Sequence, residues 1–289
     1  MKLASYLADG QATFGALAKD GLVRMNGRLP AGIQTLRQAI EADCFDAMRD
    51  IAARHSADHA LADVRFLPVV PDAIHMFAAG VNYRAHVEET GRKVRTMEDG
   101  PAFFLRLHSS LVGHGEPIVR PQVSTCFDFE GELALVVGRG GRHIPEASAL
   151  EHLAGYTCFM DGSVRDYQKH SVSIGKNFQS TGPLGPWMVT RDEIPDPTKL
   201  TLVTRLNDEV MQTGHLSDLI FNIPFIVSYL SRITPLQPGD IIATGTPGGV
   251  GKDRTPPVWM QRGDRIAVEI EGIGTLTNTV IDEGDPISN

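Results

Sequence analysis

The chain has 289 residues, of which 42% are hydrophobic and 21% charged, close to the averages of soluble globular proteins. Lys and Arg number 27 and Asp and Glu 35, so the net charge is −8, which excludes a general electrostatic attraction to nucleic acid or to an anionic membrane. The sequence contains no run of 18 apolar residues, and residues 1–15 lack a basic flank followed by a long apolar run, so we expect no membrane span and no secretory signal. Three widely spaced cysteines, Cys44, Cys126 and Cys158, indicate buried free thiols in a reducing cytoplasm.

The first 70 residues are predicted to form hairpins followed by a helix. Asp9-Gly10 and Asp20-Gly21 are strong hairpin turns that separate three apolar segments. Residues 34–55 carry apolar side chains at helical spacing, which predicts one helix there. The proline-containing run FLPVVPD then indicates a connector. We therefore expect a small β-rich appendage over residues 1–70 and the main domain over residues 71–289.

Short strands dominate the rest of the chain. Asn222 can cap one helix, with Pro224 in its first turn. Because strands and helices do not alternate regularly, a doubly wound parallel sheet is disfavoured, and the expected fold is mainly β with some α. Apolar runs bounded by turn residues predict strands at 74–80, 132–138, 186–190, 200–207, 240–246 and 265–270, and one more after Gly274.

The most informative motif is Asp128-Phe129-Glu130-Gly131-Glu132, which leads into the apolar run LALVVG. In a strand, alternation would place the three acids on one face, about 6.6 Å apart. At an effective dielectric constant of about 20, neighbouring charges would repel by roughly 2.5 kcal/mol per pair. A bound cation, basic side chains or raised pKa values must offset this repulsion. Oxygen ligands alone would suit a hard ion such as Mg²⁺, Mn²⁺ or Ca²⁺, and a solvated acidic strand end is the alternative.

Other polar groups have both a functional and an ordinary interpretation. Asp161 follows the strand-like YTCFM, which places it at a strand end or in a common turn. In YRAHVEE, His86 and Glu89 would share a helix face, where the carboxylate would orient the imidazole as a general base; a surface histidine is the alternative. Lys176 could neutralise a substrate carboxylate or an oxyanion, or be an exposed loop lysine. The run ATGTPGGVG allows close backbone approach to a ligand but is not a P-loop.

Together and in this order, these motifs resemble the fumarylacetoacetate hydrolase family. The resemblance implies a β-rich roll of mixed strands with a small N-terminal β-rich appendage, assembled as a homodimer. It extends over about residues 75–285, through the segments GVNYRAHVEE, PAFFLR, DFEGELALVVGR, AGYTCFMDGSVRDYQ, GKNFQSTGPLGPW, RLNDEVMQTG and PLQPGDIIATGTPGGVG.

The resemblance implies a metal site and a catalytic pair. Glu130, Glu132 and Asp161 would bind Mg²⁺ or Mn²⁺, with Ca²⁺ able to replace them in crystals. His86 and Glu89 would form a catalytic dyad in a mobile lid over the substrate. Asp128 would be a structural acid next to the metal ligands.

The resemblance also implies substrate-binding groups. Lys176 would be the third catalytic residue, and Thr244, Gly245 and Thr246 would hold the carboxylate and oxo groups of a 2-oxo or 2,4-dioxo acid. Arg106 stands where many members of the family have lysine. Since arginine prefers bidentate contact with a carboxylate, we expect Arg106 to bind substrate, which could carry a second acid group.

Three functions fit these residues. The first is a metal-dependent hydrolase that cleaves the C–C bond of a 2,4-dioxo acid of the acylpyruvate type. His86, oriented by Glu89, would activate water, and a metal-stabilised pyruvate enolate would be the leaving group. The products would be pyruvate and a carboxylic acid. The second keeps the enolate chemistry without water, as a keto–enol isomerase or a decarboxylase of an oxaloacetate-like acid. The third, a non-catalytic ligand-binding protein, is disfavoured because the full set of site residues is present.

Overall fold

The computed structural model describes residues 1–91 and 93–286. Within that part, 18 strands and five α-helices form two larger sheets, a two-stranded ribbon and their connections. The strands are β1 (Lys2–Ala8), β2 (Gln11–Ala18), β3 (Gly21–Arg24), β4 (Arg65–Phe66), β5 (Met76–Gly80), β6 (Ala102–Leu105), β7 (Leu111–Val112), β8 (Ile118–Arg120), β9 (Phe127–Asp128), β10 (Gly131–Val137), β11 (Leu153–Met160), β12 (Ser163–Val164), β13 (Gly182–Thr190), β14 (Thr201–Leu206), β15 (Glu209–His215), β16 (Ile241–Ala243), β17 (Arg265–Ile270) and β18 (Gly274–Asp282). The helices are α1 (Leu36–Glu41), α2 (Phe45–Arg54), α3 (Arg84–Glu89), α4 (Val172–Lys176) and α5 (Ile223–Ile233).

Strands β10 and β11 lie in the middle of the larger sheet, whose order is β3-β2-β1-β13-β11-β10-β16-β5-β6, with β4 and β7 paired to β1 and β13. Both faces of β10 are buried. Leu133, Leu135 and Val137 belong to one hydrophobic core, and Ala134 and Val136 belong to another. Because successive side chains of a strand point to opposite faces, burial on both sides explains why this strand is a continuous apolar run.

A five-stranded sheet, in the order β15-β14-β17-β18-β8, packs on one of these two faces. Leu202 of β14, Val268 of β17 and Leu276 of β18 belong to the same core as Leu133 of β10. Two packed sheets with a few short helices confirm the prediction of a mainly β fold with some α.

The N-terminal segment forms the predicted hairpins and extends the main sheet. β1, β2 and β3 turn at Asp9-Gly10 and Asp20-Gly21. β1 then pairs antiparallel with β13, so that Lys2 lies opposite Val189. Sheet pairing therefore crosses the proposed boundary, and the division into residues 1–70 and 71–289 stays a prediction.

The single helix predicted over residues 34–55 is wrong, because two helices, α1 and α2, occupy this stretch. Helix α1 ends at Ala42, and the backbone of Asp43 is left-handed with a φ of 49°, a conformation that Asp tolerates better than most residues. Ile40 and Met48, on either side of the break, are buried in the same core. The apolar periodicity therefore continues across the break and does not reveal it.

Helix α5 begins as predicted. The side chain of Asn222 accepts the backbone N–H of Phe225, and Pro224 lies in the first turn, where its missing N–H costs nothing. Among the helices of the described residues, none combines the length and the apolar character needed to cross a membrane.

Candidate active site

Three buried carboxylates meet where β10 begins and β11 ends. Antiparallel pairing sets Gly131 opposite Met160, which brings Glu130 and Glu132 next to Asp161. The ligand oxygens of these three acids, the acidic cluster, lie within 4.8 Å of one another, and each residue is at most 6% exposed. The backbone N–H of Asp161 donates to the carbonyl of Glu130 at 2.7 Å, which fixes the two acids relative to each other.

The acidic motif is not the continuous strand that was predicted. β9 ends at Asp128 and β10 begins at Gly131, so Glu130 lies in the break between two strands. Asp128 is held by other groups, since it accepts the backbone N–H of Gly251 at 2.8 Å and that of Lys252 at 3.1 Å. It therefore anchors the loop after β16 beside the acidic cluster.

Three cationic side chains pair with the acidic cluster. Lys176, the last residue of α4, lies between two of the acids, with Nζ 2.5 Å from Oε2 of Glu130 and 2.7 Å from Oδ2 of Asp161. Nη2 of Arg165 is 2.7 Å from the other carboxylate oxygen of Glu130. Nη1 of Arg106 is 2.6 Å from Oδ1 of Asp161. Lys176 is only 3% exposed, so the interpretation as an exposed loop lysine is wrong.

Glu132 is the acid of the cluster without such a partner. Within residues 1–91 and 93–286 it makes no ion pair, and its Oε2 accepts the backbone N–H of Gly245 at 2.8 Å. Burial and the nearby carboxylates of Asp161 and Glu130 hold the pKa of Glu132 well above its usual value. Burial would also raise the pKa of Glu130, but its basic neighbours outweigh this effect and the pKa of Glu130 is lowered.

This donor set fits a divalent cation. Three carboxylates converge, and oxygen donors of this kind are the ligands that Mg²⁺ and Mn²⁺ prefer. A bound cation favours the ionised form of a carboxylate, and Glu132 is the acid whose charge the protein leaves without a partner. Glu130, Glu132 and Asp161 are therefore the residues that could hold a metal ion.

His86 and Glu89 form a hydrogen-bonded pair on α3, one turn apart. Nδ1 of His86 lies 2.8 Å from Oε1 of Glu89, and Oε2 of Glu89 accepts the backbone N–H of Gly249 at 2.7 Å. Burial would raise the pKa of Glu89, but the hydrogen bonds from His86 and Gly249 outweigh it, so the pKa lies below its usual value. An ionised Glu89 can only accept, so Nδ1 of His86 donates, and in the neutral imidazole the lone pair is then on Nε2.

The loop of Thr244, Gly245 and Thr246 contacts the acidic cluster through its backbone. Gly245 has a φ of 99°, a conformation that favours glycine, and a Cβ there would lie 2.7 Å from Cβ of Asn82. The hydroxyl of Thr244 donates to the carbonyl of Leu133 at 3.0 Å. These contacts give the loop a structural role in holding Glu132 and β10, and its role in substrate binding stays a prediction.

Two buried amides connect this loop to its surroundings. Nδ2 of Asn82 donates to the carbonyls of Phe221 at 3.0 Å and Thr244 at 2.8 Å, which ties the start of α3 to the loop. Nε2 of Gln212 donates to Oγ1 of Thr246 at 2.8 Å, and Oε1 of Gln212 accepts the N–H of Gly131 at 2.9 Å. The dyad helix, the loop and the acidic cluster are thus linked by buried hydrogen bonds.

One cavity of about 160 Å³ joins the dyad to the acidic cluster. Three predicted site residues do not line the cavity but form hydrogen bonds with residues that do. Glu89 pairs with His86, Asp161 with Lys176, and Gly245 with Glu132. The predicted site residues that line the cavity are His86, Glu130, Glu132, Lys176 and Thr246. Apolar walls come from Ala79, Val81, Phe103, Phe104 and Val172.

Arg106 is buried against Asp161. Besides the carboxylate, its guanidinium contacts the carbonyl of Gly162 at 3.1 Å, Oγ of Ser110 at 3.2 Å and Oγ1 of Thr181 at 3.3 Å. Its side chain has an exposure of 0%. The structure therefore shows Arg106 supporting Asp161, and the substrate contact predicted for Arg106 stays a prediction.

Arg165 and Lys252 are candidates that the sequence analysis missed, and both line the cavity. Nε of Arg165 lies 2.7 Å from Oδ2 of Asp128, so this arginine bridges Asp128 and Glu130. Basic side chains were one of the predicted ways to offset the repulsion within the acidic motif, and Arg165 follows Asp161 by four positions in one conspicuous segment. That signal could have identified Arg165; Lys252 follows a glycine-rich loop and offered no comparable signal.

Comparison with known proteins decides the family. The family model described as fumarylacetoacetate (FAA) hydrolase, C-terminal, matches residues 75–281. The chain belongs to the fumarylacetoacetate hydrolase family. The resemblance of its motifs to this family is therefore confirmed.

Named members of the fumarylacetoacetate hydrolase family include two similar tautomerases. Oxaloacetate tautomerase YisK of Bacillus subtilis is 39% identical over 226 residues, which cover 77% of this chain and 75% of the relative. The mitochondrial oxaloacetate tautomerase FAHD2A of Homo sapiens is 35% identical over 269 residues, which cover 90% of this chain and 84% of the relative.

A solved structure of the same fold carries a metal ion. Maleylpyruvate hydrolase from Sphingobium sp. SYK-6, in complex with manganese(II) ion and pyruvate, superimposes with a TM-score of 0.80 at 30% identity, covering 98% of this chain and 99% of that one. The named relatives of this fumarylacetoacetate hydrolase family member are thus enzymes, two tautomerases and a hydrolase.

Proposed function

We propose that this protein is a metal-dependent keto–enol tautomerase of a small 2-oxo acid of the oxaloacetate type. The observation that carries the proposal is that His86, hydrogen-bonded to Glu89, lines the same cavity of about 160 Å³ as Glu130 and Glu132 of the acidic cluster. A 2-oxo acid held at the cluster by its carboxylate and oxo group would present C3 to His86. The two tautomerases, at 39% and 35% identity, support the same reaction.

Glu130, Glu132 and Asp161 would hold the metal ion. When bound, a divalent cation such as Mg²⁺ or Mn²⁺ supplies a Lewis acid for the carboxylate and oxo oxygens of the substrate. Lys176 and Arg165 offset part of the charge of the acidic cluster and keep its carboxylates oriented toward one another.

His86 would move the proton. Because its Nδ1 donates to Glu89, its Nε2 is free to remove a proton from C3. The same proton then passes from Nε2 to the 2-oxo oxygen, which converts the keto form to the enol, and the reverse sequence restores the keto form. Glu89 stabilises the imidazolium that exists between the two transfers and fixes the ring orientation. It acts through His86 and is a positioning residue.

A hydrolase of a 2,4-dioxo acid is the second candidate. A neutral His86 could deprotonate water instead of carbon, and the maleylpyruvate hydrolase at 30% identity favours this reaction. The two oxaloacetate tautomerases, at 39% and 35% identity, favour the tautomerase over this candidate.

A substrate panel with EDTA-stripped protein tests the proposal. Oxaloacetate and an acylpyruvate are each assayed with and without Mg²⁺ or Mn²⁺, and the enol absorbance, pyruvate and CO₂ are followed separately. Metal-dependent change of the oxaloacetate enol absorbance without CO₂ supports the tautomerase. Pyruvate and an acid from the acylpyruvate alone would favour the hydrolase, and CO₂ from oxaloacetate would indicate a decarboxylase; either result would overturn the proposal.

We also propose that the protein is a homodimer, as membership of its family implies. Light scattering of the purified protein should give twice the mass of the 31.4 kDa chain. A monomeric mass at micromolar concentration would contradict this.

A further inference from the structure

We propose that Lys252 binds the distal carboxylate of a dicarboxylic 2-oxo acid and thereby selects such acids over monocarboxylic ones. The inference rests on the proposed function, because it names the substrate class of the same site. Lys252 lines the cavity, and its side chain is 26% exposed. It is therefore both within reach of a ligand and accessible to one.

Lys252 differs from the other cations of the cavity in its partner. Among the described lining residues, Arg165 and Lys176 each pair with acids beside or within the acidic cluster. Nζ of Lys252 instead lies 2.7 Å from Oδ1 and 2.6 Å from Oδ2 of Asp253, the next residue in the chain. A second carboxylate on the substrate could bind Lys252 without disrupting the acidic cluster.

The backbone of Lys252 is fixed next to the acidic cluster, while its side chain is long and flexible. The N–H groups of Gly251 and Lys252 donate to Asp128 at 2.8 and 3.1 Å. From this anchored position, the four-carbon stem of a lysine can move its ammonium group toward a ligand. The position is therefore suited to meet a carboxylate that enters the cavity.

The ammonium group pairs with a carboxylate that lies next to His86. A carboxylate oxygen of its partner Asp253 lies within 4.8 Å of ligand atoms of both His86 and Glu89. In oxaloacetate, the distal carboxylate is bonded directly to C3, the carbon that the proposed reaction presents to His86. A cation beside His86 is thus where that carboxylate would need its partner.

The existing partner of Lys252 does not have to leave when a substrate binds. The ammonium group of a lysine has three N–H donors, so a substrate carboxylate can share Lys252 with Asp253. A methyl group in the same place gains nothing from the ammonium group. This difference would separate oxaloacetate from 2-oxobutanoate, which has the same number of carbon atoms.

Kinetics of Lys252→Met and Lys252→Arg with Mn²⁺ form the first arm of the test. Tautomerisation of oxaloacetate and proton exchange at C3 of 2-oxobutanoate are measured for each variant. The kcat/KM for oxaloacetate divided by that for 2-oxobutanoate should fall on the order of 10-fold to 100-fold in Lys252→Met. This is the usual effect of losing one charged hydrogen bond. Lys252→Arg should restore most of the ratio. An unchanged ratio in Lys252→Met would overturn the proposal.

Calorimetry with unreactive ligands forms the second arm. Binding of malate and of 2-hydroxybutanoate to the Mn²⁺-loaded protein is compared, with oxalate binding as the measure of an intact site. The affinity for malate divided by that for 2-hydroxybutanoate should fall by the same factor in Lys252→Met. A ratio that is the same in wild type and in Lys252→Met would overturn the proposal. This arm needs no turnover. If wild-type protein reacts with neither oxo acid, the proposed function fails, and the malate preference still decides the role of Lys252.

Discussion

Nδ1 of His86 lies 2.8 Å from Oε1 of Glu89 on the next turn of α3. The other oxygen of Glu89 accepts the N–H of Gly249, so the carboxylate is held from both sides and cannot rotate freely. A fixed acceptor determines which nitrogen of the imidazole carries the proton. The proposed proton transfer depends on this single relationship.

Replacing Glu89 with Gln should therefore reduce turnover far more than binding. The amide no longer stabilises the imidazolium, and we expect kcat to fall by roughly 100-fold or more, with KM little changed. Steady-state kinetics with Mn²⁺ measure both. Glu88→Gln, on the exposed side of the same helix, is the matched control and should behave like wild type. Equal losses in the two variants would show that the effect is not specific to the dyad.

Lys176→Met should destabilise the metal-free protein. Removing one partner of a buried ion pair costs about 3–5 kcal/mol, because Glu130 and Asp161 lose the ammonium group between them. Urea unfolding should show a deficit of that order in EDTA and a smaller deficit in Mn²⁺, since a bound cation also neutralises these acids. Lys199→Met, whose side chain is 82% exposed, should change little. A deficit that is the same with and without Mn²⁺ would argue against metal binding at the acidic cluster.

Gly245→Ala should weaken both the fold and Mn²⁺ binding. Gly263 provides a control, because its φ of 88° resembles the 99° of Gly245 while no atom lies within 4 Å of the position that a Cβ would take there. Both substitutions incur backbone strain, but the Gly245 methyl also meets Asn82 and displaces the N–H that binds Glu132. We expect Gly245→Ala to lose about 1–3 kcal/mol more in urea unfolding than Gly263→Ala. Unchanged Mn²⁺ affinity in Gly245→Ala would refute the link to Glu132.

The stability contributed by Asp58 should depend on pH. The hydrogen bond from Arg28 lowers the pKa of Asp58, assisted by the backbone N–H of Arg24. A lowered carboxyl pKa contributes stability above the unfolded-state value of about 3.9, and that contribution is lost as the pH falls through the folded-state pKa. Asp58→Asn should therefore cost roughly 1 kcal/mol at pH 7 and less at pH 2.5, which lies below the unfolded-state value.

Urea unfolding at the two pH values checks this expectation. Asp46→Asn, which removes a fully exposed partner of Arg49, should have little effect at either pH. A deficit of Asp58→Asn that is as large at pH 2.5 as at pH 7 would assign the effect to something other than the ionised carboxylate.

The sequence predicted most strands because burial on both faces leaves a continuous apolar run, as in β10. The prediction from sequence failed where tertiary contacts determine the backbone conformation. The left-handed Asp43 divides a periodic helix, and Glu130 lies in a break between β9 and β10. Neither feature changes the local hydrophobic pattern, so neither could be read from it.

The acidic residues of the candidate site could be predicted from the sequence more readily than the basic residues that pair with them. Repulsion among Glu130 and its neighbours predicted a bound cation, basic side chains or raised pKa values, and the sequence did not show which basic side chains pair with these acids. Lys176 and Arg106 reach the acidic cluster from separate segments. Their burial depends on the packing of α4 against β6 and β12, which spacing alone does not encode.

The central claim is tested most directly by the decay of enol oxaloacetate with EDTA-stripped protein, before and after addition of Mn²⁺, in wild type and in His86→Gln. We predict that Mn²⁺ switches on rapid conversion to the keto form without CO₂. His86→Gln should lose this acceleration by roughly 100-fold or more and still bind oxalate in the presence of Mn²⁺. Full acceleration in His86→Gln, or decay that appears only as pyruvate and CO₂, would contradict the account.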